Sequence, residues 1–153
     1  MNEALCYSWD ENKAVICYLC PHHCSIAEGK RGICGMRRND DGKLYAMNYG
    51  MVSSLALDPI EKKPLYMFHP GKMILSIGGF GCNLRCPFCQ NCEISMDYDK
   101  RLMGAKRVTP EQVSGLAEMH TPDGNIGAAY TYNEKWRLFY FEIAEENLYR
   151  LFG

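Results

Sequence analysis

The chain has no run of about 18 apolar residues, so it is not expected to span a membrane. It has no basic stripe either. Its formal net charge is −1, and the Lys/Arg pairs at 30–31, 37–38 and 62–63 read as solvated faces or local ion pairs, which argues against nucleic acid as a partner. The segment Met1-Asn2-Glu3-Ala4-Leu5-Cys6 lacks the basic and apolar regions of an export signal. No internal repeat or low-complexity segment is evident. What the chain does have is cysteine. Nine of them, an odd number, fall in clusters without a secretory signal, which favours metal ligation over disulfides and a reducing, cytoplasmic setting. At 153 residues and 47% hydrophobic content the chain can bury one ordinary core, expected as a single domain with an appendage.

Residues 1–71 and 72–153 differ in character. The first part is broken by turns at Glu28-Gly29-Lys30, Asn39-Asp40-Asp41-Gly42 and His69-Pro70-Gly71, with short strands expected at 43–49 and 51–57. It reads as a small cysteine-bearing module. The second part alternates strand and helix: a strand at 73–77, a helix at 109–120, a strand at 126–132 and a helix at 134–152. Thr109 can cap the first of these helices, Pro110 suits its first position, and Gln112 completes a capping box. In the last helix Trp136, Phe139, Tyr140, Ile143, Ala144, Leu148 and Leu151 share one face, a pattern of core contacts. The β-α-β-α order predicts parallel strands joined by right-handed crossovers.

Cys82-Asn83-Leu84-Arg85-Cys86-Pro87-Phe88-Cys89 carries the most information. Three thiols spaced C-x3-C-x2-C on one loop can ligate three irons of a four-iron cluster and leave the fourth iron open for a substrate or cofactor. The apolar run Lys72-Met73-Ile74-Leu75-Ser76-Ile77 leads into Gly78-Gly79-Phe80-Gly81, as a buried strand would deliver such a loop. Gly78, Gly79 and Gly81 let the backbone approach a cluster sulfur or a ligand, or serve as hinges. A zinc ribbon is the rival, but its thiols usually come as two C-x2-C knuckles, unlike the x3 spacing here. Cys92 extends the loop into a run like that of ferredoxins, and as a fourth ligand it would close the open site. Cys17-x2-Cys20-x3-Cys24-x9-Cys34 is a second constellation whose four thiolates suit structural zinc or an auxiliary iron–sulfur cluster, with buried free thiols as the alternative. A structural metal can contribute on the order of 10 kcal/mol to folding a small module, and residues 1–71 look poor in core without one. His22 and His23 read as turn residues, either of which could replace a thiolate, and Cys6 reads as an ordinary thiol. From Asp58 to Leu65 the two prolines mark an extended connection, with Glu61, Lys62 and Lys63 solvated.

Four blocks carry a resemblance: Cys17-Tyr18-Leu19-Cys20-Pro21-His22-His23-Cys24, Asp58-Pro59-Ile60-Glu61-Lys62-Lys63-Pro64-Leu65, the stretch from Gly81 to Asn91 with Glu93-Ile94-Ser95, and Tyr130-Thr131-Tyr132-Asn133-Glu134. With them the chain resembles radical S-adenosylmethionine (SAM) enzymes, in particular the pyruvate formate-lyase activating enzyme-like group that includes the AmmeMemoRadiSam system radical SAM proteins. The resemblance implies that Cys82, Cys86 and Cys89 hold a [4Fe-4S] cluster and that SAM chelates its open iron through amino and carboxylate groups. Reduction by a donor such as flavodoxin or ferredoxin would then cleave SAM to a 5′-deoxyadenosyl radical, which abstracts hydrogen, typically from a glycine of a partner enzyme. Phe88 would shield the cluster and pack near adenine, with simple loop packing as the alternative. Gly79 and Gly81 would line the cofactor. Asn133 and Glu134 would lie where related enzymes bind the SAM ammonium, Glu134 alternatively being a first-turn helix residue. The implied fold is α/β, a partial (β/α) barrel with about two βα units behind an N-terminal cysteine-rich module. Too few residues follow Gly71 for the family's full set of strands, so a truncated or rearranged core is expected, in which residues 135–153 need not correspond to the family. Cys92 and Lys135 depart from its pattern, which commonly has Trp and Pro there. The rival to an enzyme is a non-catalytic metal-binding module, zinc-bound or ferredoxin-like.

Overall fold

The computed structural model describes residues 2–63 and 65–133. Its N-terminal part is built from very short strands, β1 (Asn2–Glu3), β2 (Tyr7–Trp9), β3 (Val15–Cys17), β4 (Ser25–Ile26), β5 (Arg37–Asp40), β6 (Lys43–Ala46) and β7 (Met51–Val52), and the longer β8 (Ser54–Pro59). Strands of two to four residues carry too little alternation to be read from sequence, and only those near 43–49 and 51–57 were expected. The β5–β6 hairpin has a clear local cause. Asp41 and Gly42, at φ 53° and 78°, are both left-handed, as a type I′ turn requires.

Strands β2, β3 and β4 form one antiparallel sheet and β1, β6 and β5 another. Ala4, Val15, Cys17, Ile26 and Leu44 pack between them, with Tyr7, Leu19 and Cys24 against the cluster. Two cysteines of the first constellation thus belong to this small core or lie on it. Asn39 is fully buried and satisfied: its amide donates to the carbonyls of Lys13 and Ile26, and its oxygen accepts from the Gly42 amide.

The second part contributes β9 (Met73–Gly78), α1 (Cys92–Ser95), α2 (Asp99–Met103), β10 (Lys106–Arg107), α3 (Pro110–Met119) and β11 (Asn125–Tyr132). The expected strands at 73–77 and 126–132 and helix at 109–120 fall on β9, β11 and α3. Thr109 and Gln112 form the reciprocal capping box. The expected helix at 134–152 lies outside the described residues. β9 is buried along nearly its whole length, as suits a central strand covered on both faces. It pairs in parallel with β11 and antiparallel with β8. The parallel pair needs a crossover, which runs through α1, α2, β10 and α3. Asn125 locks the return, donating to the Ala117 carbonyl at the end of α3 and accepting from the Leu75 amide in β9. The described residues thus form a mixed α/β structure of small sheets with one β-α-β crossover, and no barrel is formed among them. Among them, no helix is long and apolar enough to cross a membrane.

Contacts cross residue 71 repeatedly. β8 belongs to the same sheet as β9, and β7 pairs with β10. Arg31 meets Asp99 at 2.8 Å, and the Asn48 amide donates to the Phe80 carbonyl at 2.9 Å.

Two expectations about charge are corrected. The connection after Asp58 is a single 3-10 turn at Ile60–Lys62 rather than extended, and although Lys62 stays exposed as expected, Lys63 does not. It brings Lys62 and Lys63 onto Asp58 at 2.8 and 2.9 Å, with Ser76 Oγ donating to the same carboxylate at 2.7 Å. Asp58 is buried and the Lys63 side chain is only 13% exposed. The Lys62 ammonium, then Ser76 and Lys63, hold the Asp58 carboxyl well below the usual carboxylate range. Arg37 is neither solvated nor ion-paired among the described residues. It is 5% exposed, and one of its nitrogens donates to the Met36 carbonyl and to Asn48 Oδ1.

Candidate metal centre

The cysteine loop leaves the carboxyl end of β9, where ligand loops of parallel α/β folds are placed. Gly79 and Phe80 are buried and anchor its root. Gly81 then turns left-handed at φ 75°, and its amide donates to the Ile94 carbonyl at 2.8 Å. Any Cβ at Gly81 would run into Met36 and stand 2.6 Å from the Cys34 carbonyl oxygen. This is a cradle only glycine fits, and it presses the Cys82 loop against the turn that carries Cys34.

Beyond Gly81, Cys82, Cys86 and Cys89 are all half-buried free thiols. The Leu84 amide points at Cys82 Sγ at 3.4 Å, and the Cys89 amide donates to the Cys86 carbonyl at 3.1 Å, closing a turn between the last two thiols. Backbone N–H groups near thiolate sulfur are the usual means of tuning a metal–sulfur site. Phe88 is 82% exposed, so the loop-packing alternative for its ring is not what the structure has. Cys92 is the first residue of α1 and also half-buried.

Asn133 joins this loop from the end of the parallel neighbour β11. At φ 70° it donates to the Gly79 carbonyl at 2.7 Å and accepts from Ser95 Oγ at 2.5 Å, while Ser95 Oγ lies 3.9 Å from Cys89 Sγ. The carboxamide therefore braces the loop. Ser95 is 4% exposed and was not singled out from sequence, where nothing marks it beyond its place in a family block. Glu134 lies outside the described residues.

The first constellation assembles around a neighbouring cavity of about 50 Å³, lined by Cys17, Cys20, Cys24 and Cys34 together with Arg37, Asn48 and the Gly81-Cys82-Asn83 segment. Burial pushes the Cys17 thiol up, the Leu19 amide and the Arg37 guanidinium oppose this, and nearby Cys34 and Cys24 add to it. His22 also lines this cavity, and its Nε2, 2.8 Å from the Asn83 carbonyl oxygen, ties the two cysteine segments together. Among the described residues, buried Asn83 Oδ1 has no hydrogen-bond partner. Cys6 is not among the cavity-lining residues.

Among the described residues, no group of three or more His, Cys, Asp or Glu side chains stands ready to hold a metal ion. The donor set suits metals by its chemistry all the same. It consists of soft thiols that are free and carried on turns, and thiolate sulfur is the donor that zinc and iron–sulfur centres take.

No protein-family model matches the chain, and no solved structure matches it. Among curated proteins it is similar to an uncharacterized protein of Methanocaldococcus jannaschii, MJ0808, at 41% identity over 152 residues, a match that covers 96% of this chain and 44% of that protein. The chain therefore spans less than half the length of the curated relative it matches.

Proposed function

We propose that this chain carries the cluster-binding head of a radical SAM oxidoreductase of the pyruvate formate-lyase activating-enzyme type, working in the cytoplasm and built on the start of a partial (β/α) barrel. The observation that carries the reading is the juxtaposition at the carboxyl ends of two parallel strands. There the Cys82, Cys86 and Cys89 loop follows β9, and Asn133 at the end of β11 is bonded to the root of that loop.

In this reading Cys82, Cys86 and Cys89 would hold a [4Fe-4S] cluster with a place left for SAM. When bound, the pair would supply one-electron reductive cleavage of SAM to methionine and a 5′-deoxyadenosyl radical able to abstract hydrogen from the substrate, the electron coming from a flavodoxin or ferredoxin. Gly79 and Gly81 keep the loop root free of side chains where cofactor must approach. Phe88 presents an exposed ring able to cover adenine and keep water out. Asn133 orients the loop, and Glu134 supplies a carboxylate to complement the SAM ammonium. A protein substrate fits this enzyme type.

The test is anaerobic reconstitution with iron and sulfide, reduction, and electron paramagnetic resonance with and without SAM, using Cys89→Ala as control. A SAM-dependent spectral change that Cys89→Ala abolishes is expected. Zinc alone after anaerobic purification overturns the proposal, and a cluster indifferent to SAM assigns the chain to the rival class of non-catalytic metal-binding modules.

A further inference from the structure

We propose that Cys17, Cys20, Cys24 and Cys34 bind a second metal centre, a tetrathiolate of net negative charge, in the cavity behind the Cys82 loop, with Arg37 as its buried counter-cation. The proposal does not rest on the radical SAM reading, and either can fail alone.

Two tight turns face each other across the cavity. The β3–β4 hairpin carries Cys17 at the end of its first strand, Cys20 in its loop and Cys24 just before its second strand. Its ends are held by the Cys17 amide donating to the Cys24 carbonyl at 2.9 Å, and its loop by the His23 amide on the Cys20 carbonyl at 3.2 Å. The opposite turn, closed by the Gly35 amide on the Gly32 carbonyl at 2.8 Å, carries Cys34. Gly32 of that turn lies beside Cys24: a Cβ there would stand at ordinary contact distance, 3.5 Å, from its sulfur. Four thiols on two apposed turns are the donor arrangement of a closed four-cysteine site. The side chains line the wall without yet forming a cage, so binding turns them inward.

Arg37 is the independent observation. A guanidinium that is 5% exposed has lost its hydration, yet among the described residues its hydrogen bonds go only to a carbonyl and a carboxamide, both neutral. A buried charge is tolerated when an opposite charge meets it. Four neutral thiols provide none. A divalent zinc with four thiolates, or an iron–sulfur cluster with four, is an anion and meets that need. Asn48 bonds both Arg37 and the Phe80 carbonyl, so the cation also bears on the root of the Cys82 loop.

The test uses the full chain with Cys82→Ser, Cys86→Ser and Cys89→Ser, stripped by chelator under reducing conditions and loaded separately with zinc, cobalt, or iron plus sulfide. Elemental analysis should find a single equivalent of zinc or cobalt, the latter with thiolate charge-transfer absorption, or a single cluster. Preference between zinc and iron with sulfide names the metal. Adding Cys20→Ser and Cys34→Ser should abolish uptake. Arg37→Met should weaken zinc binding about 10- to 100-fold, as loss of an outer-shell partner does, and Arg37→Lys should recover part of it. A triple variant whose circular dichroism shows it folded but which takes up nothing in any loading overturns the proposal, as does uptake indifferent to Cys20→Ser with Cys34→Ser. If the triple variant does not fold, those two substitutions in the otherwise unaltered chain must lower zinc uptake by one equivalent, and unchanged uptake overturns the proposal.

Discussion

Replacing Gly81 by alanine would test the contact that joins the two cysteine turns. Two separate costs arise. Gly81 has φ 75°, and a side chain in the left-handed region costs roughly 1–2 kcal/mol. The new Cβ would also run into Met36 and stand 2.6 Å from the Cys34 carbonyl oxygen. The Met36 side chain can move, but the Cys34 carbonyl is backbone and moves only by displacing its turn. Forcing a methyl group into a packed site costs about 1–3 kcal/mol more. Gly124→Ala separates the two terms, because Gly124 has φ 84° and its nearest neighbour would be Lys72 Cδ at 3.9 Å, so it carries the first cost alone. Gly104→Ala, at φ −99° with nothing within 4 Å, carries neither. Urea and thermal unfolding followed by circular dichroism should therefore rank Gly104→Ala near wild type, Gly124→Ala lower and Gly81→Ala lowest. At about 2–4 °C per kcal/mol for a chain of this size, the gap between the last two should be roughly 2–12 °C. Gly81→Ala should also speed alkylation of Cys34. If Gly81→Ala is no worse than Gly124→Ala, the close approach between the Cys82 loop and the Cys34 turn is wrong.

Asp58 should matter through its partners and through pH. Its carboxyl is held low in the fold by Lys62, Ser76 and Lys63, while the unfolded value is about 3.9. The stabilisation is therefore complete above about pH 4–5 and is lost as pH falls toward the folded value. Asp58→Asn should cost about 3–5 kcal/mol at neutral pH by removing the buried negative charge that Lys63, Lys62 and Ser76 meet, whereas Lys62→Met, at a site 60% exposed, should cost about 1 kcal/mol or less. Urea midpoints measured from pH 7 downward should show the gap between wild type and Asp58→Asn closing below about pH 4, and a constant gap would refute the pairing. Thr109→Ala should cost about 1 kcal/mol through loss of the α3 cap, with Thr109→Ser restoring it, and equal unfolding midpoints for all three would show that the cap contributes nothing.

Sequence by itself determined the features whose cause is local. The apolar run of β9, the Thr109-to-Gln112 start of α3, the Asp41-Gly42 turn and the two cysteine constellations each depend on residues close together in the chain, where backbone preference and spacing act directly. Tertiary structure alone decided which segments meet. Pairs such as Arg37-Arg38 and Lys62-Lys63 look alike in sequence, yet Arg37 faces a thiol-lined cavity and Lys63 a buried carboxylate, because strand pairing carried them there. The strands of two to four residues were illegible for the same reason. Their stability comes from partners far along the chain, as in β1, whose two residues Asn2 and Glu3 pair with Ala46 and Tyr45 of β6. Gly81 was readable as a turn residue, but its contact with Cys34 was not, since steric exclusion between residues 47 positions apart exists only once the fold has brought them into contact.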